Sequence, residues 1–270
     1  MVNGPMNKHK RHKKSRISGP PTGRKKSETG TWIYGPHACL AALNNHKRNI
    51  SRILFTKNAA DELDHRVNQF PVPPETVDRG VIDAVLPPDC VHQGVAVLAA
   101  ALPYTDVLDV ASSLDENAPA VFLALDQAND PRNIGAILRT AAAFGCSGII
   151  MPDRGSPEES GTMAKAAAGA LETVPLLRVT NLVRTLEELG EHGFWSIGLD
   201  GSADKSLSDM DFTGRVVLVL GAEGRGLRRL TRETCDHLTR IPISEDMESL
   251  NLSNAAAITL YEIARQISRS

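Results

Sequence analysis

From Ala120 onward the chain alternates short, mainly apolar runs with longer amphipathic ones, and few architectures tolerate that order. The apolar runs are Val121–Leu125, Gly148–Met151, Leu176–Val179, Phe194–Leu199, Val216–Leu220 and Leu238–Ile243. Helical patterns fall between and after them, at Ile134–Phe144 (stopped by Gly145), Met163–Leu171, Leu182–His192, Thr231–Cys235 and Ser253–Ile267. Asn181 stands where a cap for the third of these is needed, and Gly193 where it must end. Strands without polar alternation are buried on both faces, so residues 120–270 are predicted to form a parallel sheet covered by helices on both sides. Such sheets bind ligands beyond the C-terminal ends of their strands.

The upstream sequence is of another kind. Residues 31–102 predict a small α/β unit, with helices at Pro36–Leu43, Asp61–Phe70 and Val81–Leu86 and strands at Ser51–Thr56 and Gly94–Ala99. Residues 103–119 are polar and read as a linker. Residues 1–30 carry nine Lys or Arg against one acid, Glu28, and almost nothing apolar to offset ordering entropy, so a disordered basic tail is expected. The net charge of −2 thus conceals a cationic arm on an acidic body. That arrangement suits a polyanionic partner, and equally a solubilising tail.

Composition excludes several classes. The four cysteines (Cys39, Cys90, Cys146, Cys235) are scattered without a CxxC pair, which predicts reduced thiols and no metal site. No apolar run approaches membrane-span length, and the N-terminus lacks a signal peptide's apolar core, so a cytoplasmic protein without membrane contact is expected.

Three loops carry unusual chemistry. The first runs from Asp126 through Asn133 and Gly135 to Arg139 and Thr140. Gly135 permits close approach of a backbone or a phosphate, and Asn133 offers donors and an acceptor near the free amides of a helix start. Arg139 falls among positions that read as core-facing (Ile134, Ile137, Leu138, Ala141), where an arginine must snorkel or bind an anion. The polar loop before it favours the anion. The second loop, Gly221 to Leu227, places Gly221, Gly224 and Gly226 in the order GxxGxG, unlike a dinucleotide loop, and lacks the Lys-Ser/Thr pair of a P-loop. Glu223 inside it would repel a pyrophosphate but could orient an amide, hydroxyl or cation. The third loop leads from Ile241 to a cluster of Ser249, Asn251, Ser253 and Asn254 at the start of the last helix, where Ser249 or Ser253 can cap it. Ile241 and Leu250 beside polar backbone would suit a ligand with a purine face and hydrogen-bonding edges.

In order and spacing these loops resemble the SpoU (TrmH-like) family of RNA ribose methyltransferases, within the SPOUT superfamily. The matching residues are Asn133, Gly135, Arg139 and Thr140; Gly221, Glu223, Gly224 and Gly226; then Ser249, Asn251, Ser253, Asn254 and Ala255. The likeness spans Ala120 to Gln266. The front unit, with Ile33 to Ala38 and His92 to Val95, is similar to the ribosomal-protein-like RNA-binding domain of many members. Two departures stand out: Ala166–Ala168 where a serine often follows the residue matching Lys165, and Glu248 in place of a small residue.

The resemblance implies a SPOUT domain with a trefoil knot, an exception to unknotted topology, and a homodimer with cofactor sites at its interface. It implies S-adenosylmethionine as cofactor, held by the loops at Gly221, Ile241 and Leu250, and a reacting centre shaped by Asn133, Arg139, Glu223, Ser249 and Asn251. The expected substrate is the ribose 2′-hydroxyl of a nucleotide, a guanosine, in large-subunit ribosomal RNA. A sulfonium brings its own activated methyl, so this chemistry needs no metal. An arginine is essentially always protonated, so Arg139 is better suited to bind an RNA phosphate and stabilise alkoxide charge than to act as base. Two alternatives stay open: the same chemistry on tRNA, and a catalytically silent RNA-binding or ribosome-assembly protein.

Overall fold

The computed structural model describes residues 30–67 and 69–268. The expected disordered tail, apart from Gly30, lies outside the described residues.

The front unit runs β1 (Thr31–Tyr34), α1 (Pro36–Leu43), β2 (Ile50–Phe55), α2 (Lys57–Leu63), β3 (Glu75–Thr76), α3 (Arg79–Val85) and β4 (Val95–Ala99). Its sheet has the order β1-β4-β2-β3, with β4 antiparallel to both neighbours and β3 parallel to β2. The helix expected at Asp61–Phe70 begins earlier, directly after β2, and gives way to a 3-10 turn at Asp64–Arg66.

Then follow α4 (Val107–Ser113), β5 (Ala120–Leu125), α5 (Pro131–Ala143), β6 (Gly148–Pro152), α6 (Gly161–Ala167), β7 (Leu176–Val179) and α7 (Leu182–Glu191). The chain continues through β8 (Trp195–Leu199), β9 (Arg215–Leu220), α8 (Arg229–Thr234), β10 (His237–Thr239) and α9 (Leu252–Ile267). Six strands form one sheet in the order β10-β8-β9-β5-β6-β7, every pairing parallel. The predicted α/β architecture is therefore present. All of β5 and β6 is buried, which is why those strands read as continuous apolar runs.

Alternate residues of β5 feed two cores. Val121, Leu123 and Leu125 face a cluster shared with α5, α9 and the front unit, including Ile33, Ala38 and Val97. Phe122 and Ala124 face another, shared with α7 and with Val107 and Ala111 of α4. The segment read as a linker thus contains a helix docked on the sheet. Asp106 caps it, accepting from the Leu108 amide at 2.8 Å. Its buried positions, four residues apart, are interspersed with Asp109, Ser112 and Ser113, and those polar residues in so short a helix hid the pattern.

After β5 the chain builds outward to β7, then crosses to β8 and returns to place β9 beside β5. Adjacent strands whose connections diverge leave a crevice at their C-terminal ends, the usual ligand position in open parallel sheets. The loops after β5 and β9 emerge there.

Candidate active site

The first loop is fixed at its root. Asp126, the residue after β5, is only 1% exposed and ends a strand that is otherwise wholly apolar. Its carboxylate accepts from the Arg228 guanidinium at 2.6 Å and from the Arg228 amide at 3.1 Å, tying the first loop to the exit of the second. Asp130 then caps α5 by accepting from the Arg132 amide at 2.8 Å, and Pro131 takes the first helical turn, where its missing N–H costs nothing. Asn133 follows in that turn, half-buried.

The second loop is a tight hairpin. The amides and carbonyls of Ala222 and Gly226 exchange hydrogen bonds at 3.0 and 3.1 Å. A Cβ on Gly221 would overlap the Gly226 carbonyl group, and Gly224 and Gly226 have φ of 71° and 65°. Only glycine tolerates this folding-back. The hairpin presents Glu223 to the start of α9.

There the three loops meet. Glu223 Oε1 accepts from Asn251 Nδ2 at 2.8 Å, from Asn133 Nδ2 at 3.0 Å and from the Leu252 amide at 3.1 Å. Asn251 Nδ2 also donates to Asn133 Oδ1 at 3.2 Å. Asn251 Oδ1 caps α9, accepting from the Ser253 amide at 2.9 Å and its hydroxyl at 2.6 Å. The cap is therefore Asn251, not Ser249 or Ser253. One amide side chain both ends the loop and closes the cluster.

The remaining candidates sit apart from this network. Arg139 is exposed, since α5 buries Ile134, Gly135, Ile137, Leu138 and Ala141 and the next position after Leu138 turns about 100° away from that face. It is not core-facing, and its side chain makes no hydrogen bond or ion pair among the described residues. Ser249 is exposed and outside the cluster's hydrogen bonds, whereas Ile241 and Leu250 are half-buried against the main core. Gly135 is needed for a backbone and not for a phosphate: a Cβ there would lie 2.5 Å from the Met163 carbonyl oxygen and 2.6 Å from Ala166 Cβ, both on α6. Burial pushes the thiols of Cys146 and Cys235 up to about 12, the latter helped by Asp236 and Asp126, so neither is a thiolate nucleophile at neutral pH. Among the described residues no group of three or more His, Cys, Asp or Glu could hold a metal ion.

Asp126 and Arg228 are the residues that sequence reasoning left without a role. The available signal was an acid closing a strand with no other polar residue. Arg228 is half-exposed and can return to water, but Asp126 cannot. Arg228→Ala should therefore destabilise by about 3 kcal/mol, as expected when a buried charge loses its partner, and more than Asp126→Ala does. Urea unfolding of both variants checks this, and equal or reversed midpoints would contradict it.

Comparison with known proteins adds the following. Residues 120–261 match the SpoU rRNA Methylase family, and residues 32–105 match RNA 2′-O ribose methyltransferase substrate binding. The chain is 40% identical over 240 residues to the 23S rRNA (guanosine-2′-O-)-methyltransferase RlmB of Pseudomonas aeruginosa, covering 87% of this chain and 96% of that one. To the protein of the same name from Ralstonia nicotianae it is 42% identical over 246 residues, covering 87% and 95%. The fold is similar to that of the SpoU methyltransferase AviRb from Streptomyces viridochromogenes, solved in complex with the cofactor AdoMet. The TM-score is 0.73 at 23% identity, over 88% of this chain and 90% of that one.

Proposed function

We propose that this chain, which belongs to the SpoU rRNA methylase family, transfers a methyl group from S-adenosylmethionine to the 2′-hydroxyl of a guanosine ribose in large-subunit ribosomal RNA. The observation that carries this reading is the Asn133–Glu223–Asn251 cluster, drawn from three separate loops to the C-terminal edge of the sheet. The relatives named as 23S rRNA guanosine methyltransferases, similar over nearly their whole length, support this substrate.

The residues fit the cofactor. A hairpin that excludes any side chain at Gly221 exposes backbone, while half-buried Ile241 and Leu250 flank polar main chain with apolar surface suited to an adenine. When bound, S-adenosylmethionine supplies a methyl already activated on its sulfonium. Asn133, Glu223 and Asn251 form a rigid wall of the reacting centre, with Ser249 at its rim. Arg139, exposed and without an ion-pair partner among the described residues, binds the RNA phosphate beside the target and stabilises negative charge developing on the 2′-oxygen. The front unit and the basic N-terminal segment hold the rest of the RNA, each phosphate contact releasing counterions.

The knotted topology and the homodimer belong to the same reading. The knot is supported by the path of the chain, which leaves β9 through the hairpin, pairs β10 beyond β8 and returns to begin α9 against Glu223. Exposed Ile258 and Tyr261 on α9 support the dimer. Among the described residues no helix is long and apolar enough to cross a membrane, and a ribosomal RNA substrate supports the reading of a cytoplasmic protein.

The test uses unmodified large-subunit ribosomal RNA, isotope-labelled S-adenosylmethionine and the full chain. A single 2′-O-methylguanosine located by mass spectrometry is the expected product. Transfer to tRNA alone, to a base, or to nothing would refute the reading.

A further inference from the structure

We propose that Arg48 is a positioning residue for methyl transfer: it locks the front unit onto the catalytic unit and so fixes which nucleotide of a bound RNA reaches the reacting centre. This rests on the function proposed above.

Arg48 belongs to the front unit, in the turn between α1 and β2, yet its side chain is 1% exposed. Its Nε and Nη2 donate to both oxygens of Glu172, at 2.7 to 3.1 Å, and Nη1 donates to Glu159 at 2.7 Å. Nη1 also donates to the Ala100 carbonyl at 2.9 Å, on the segment that joins the units. Both carboxylates come from the catalytic unit, Glu159 just before α6 and Glu172 in the 3-10 turn after it. Asn45 donates to Glu172 as well, at 2.7 Å. One guanidinium thus ties the front unit, the connection and the catalytic unit together.

A buried triad of this kind is a poor way to gain stability, because desolvating three charges offsets most of their attraction and apolar residues of equal volume often do better. It does give direction. An apolar contact lets two surfaces slide, whereas a forked guanidinium between two carboxylates holds one orientation.

What the clamp holds is helix α6, and α6 touches the site. On one side, a Cβ at Gly161 would collide with the Trp32 carbonyl and the Tyr34 ring of β1. The Tyr34 hydroxyl meets Thr162 Oγ1 at 3.3 Å, and Lys165 donates to Gln93 at 2.8 Å. On the other side, Met163 and Ala166 press on Gly135, two residues after Asn133. Front unit, α6, α5 and the Asn133–Glu223–Asn251 cluster form one unbroken line of close contacts. RNA held by the front unit is therefore registered against the reacting centre through α6.

Four measurements on the full chain test this, with the triple variant R48M/E159Q/E172Q, which removes the charges without orphaning a carboxylate, and with R48K. For the triple variant, S-adenosylmethionine affinity should match wild type. Its kcat on ribosomal RNA should fall roughly 100-fold, the loss expected of a misplacement on the ångström scale, and mapped methyls should spread to neighbouring nucleotides. R48K, which keeps the charge and loses the fork, should restore the correct nucleotide with reduced kcat. Hydrogen exchange across residues 31–35 and 161–167 should quicken in the triple variant. A merely structural Arg48 would lower Tm while the folded fraction kept wild-type kcat and a single methylated nucleotide, and that result would overturn the proposal. If the wild-type chain transfers no methyl to RNA, the functional reading fails by itself. Hydrogen exchange then decides the clamp, and unchanged rates would overturn it.

Discussion

Arg139→Ala is expected to cut methyl transfer by about 1,000-fold, the scale of losing a donor that stabilises transition-state charge, while S-adenosylmethionine still binds. Arg139 lies on the exposed face of α5, outside the hydrogen-bonded cluster. Arg228, Arg229 and Arg232 in the same unit are each paired with an acid, at 2.6 to 2.9 Å, whereas Arg139 has no such contact among the described residues. An exposed guanidinium without an acidic partner among the described residues is a ready phosphate ligand. Arg139→Lys should recover part of the rate, because a point charge replaces a planar fork that can bind two oxygens at once. Single-turnover methylation and calorimetric titration of the cofactor separate the two effects. Cofactor binding lost together with activity would show that Arg139 belongs to the cofactor site instead.

The legibility of this chain follows from how local each feature is. The central strands of the large sheet were plain, because burial on both faces forces an uninterrupted apolar run such as Ala120–Leu125. The Asn181 cap was equally plain: its side chain accepts from the Arg184 amide, three residues on. Short or exposed elements left no such trace. β3 has two residues, both exposed, and β1 and α4 are short and half-covered. In the site, the residue types in each loop pointed to polar chemistry, but their assembly did not. Asn133 and Glu223 are 90 positions apart, and no spacing rule could pair them or name Asn251 as the cap. Arg139 was misplaced for another reason. Ile137 and Leu138 flank it closely in sequence, but on a helix the next position points away. Asp126 and Arg228 fall between these cases, a buried acid whose partner lies 102 residues on.

Charged substitutions at Ile258 and Tyr261 are expected to yield a folded monomer that transfers no methyl. Helix α9 packs Ala256, Leu260 and Ile263 into the main core, which uses one face of the helix. Ile258 and Tyr261 stand on another face, 41% and 58% exposed, and Tyr261 leans edge-on against Phe144 of α5 at 6.2 Å between ring centres. Met247 and Ile243 in the third loop are exposed as well. An aromatic and a branched side chain left in water three positions apart on one helix form a surface that a second copy could cover with its own equivalent. Because Asn251 caps α9 and its side chain closes the cluster proposed to shape the reacting centre, an interface on α9 would bear directly on that site. I258D/Y261D places two charges where the partner's apolar face would sit, and desolvating them should prevent association while leaving the monomer's core untouched. Sedimentation at micromolar concentration should find a dimer for wild type and a monomer for the variant, with matching circular dichroism spectra. Activity should vanish with the dimer, because each reacting centre sits beside the surface that is lost. A wild-type chain that sediments as a monomer, or a folded monomeric variant that methylates RNA at the wild-type rate, would mean that each chain carries a complete site and that the exposed face of α9 has no part in the reaction.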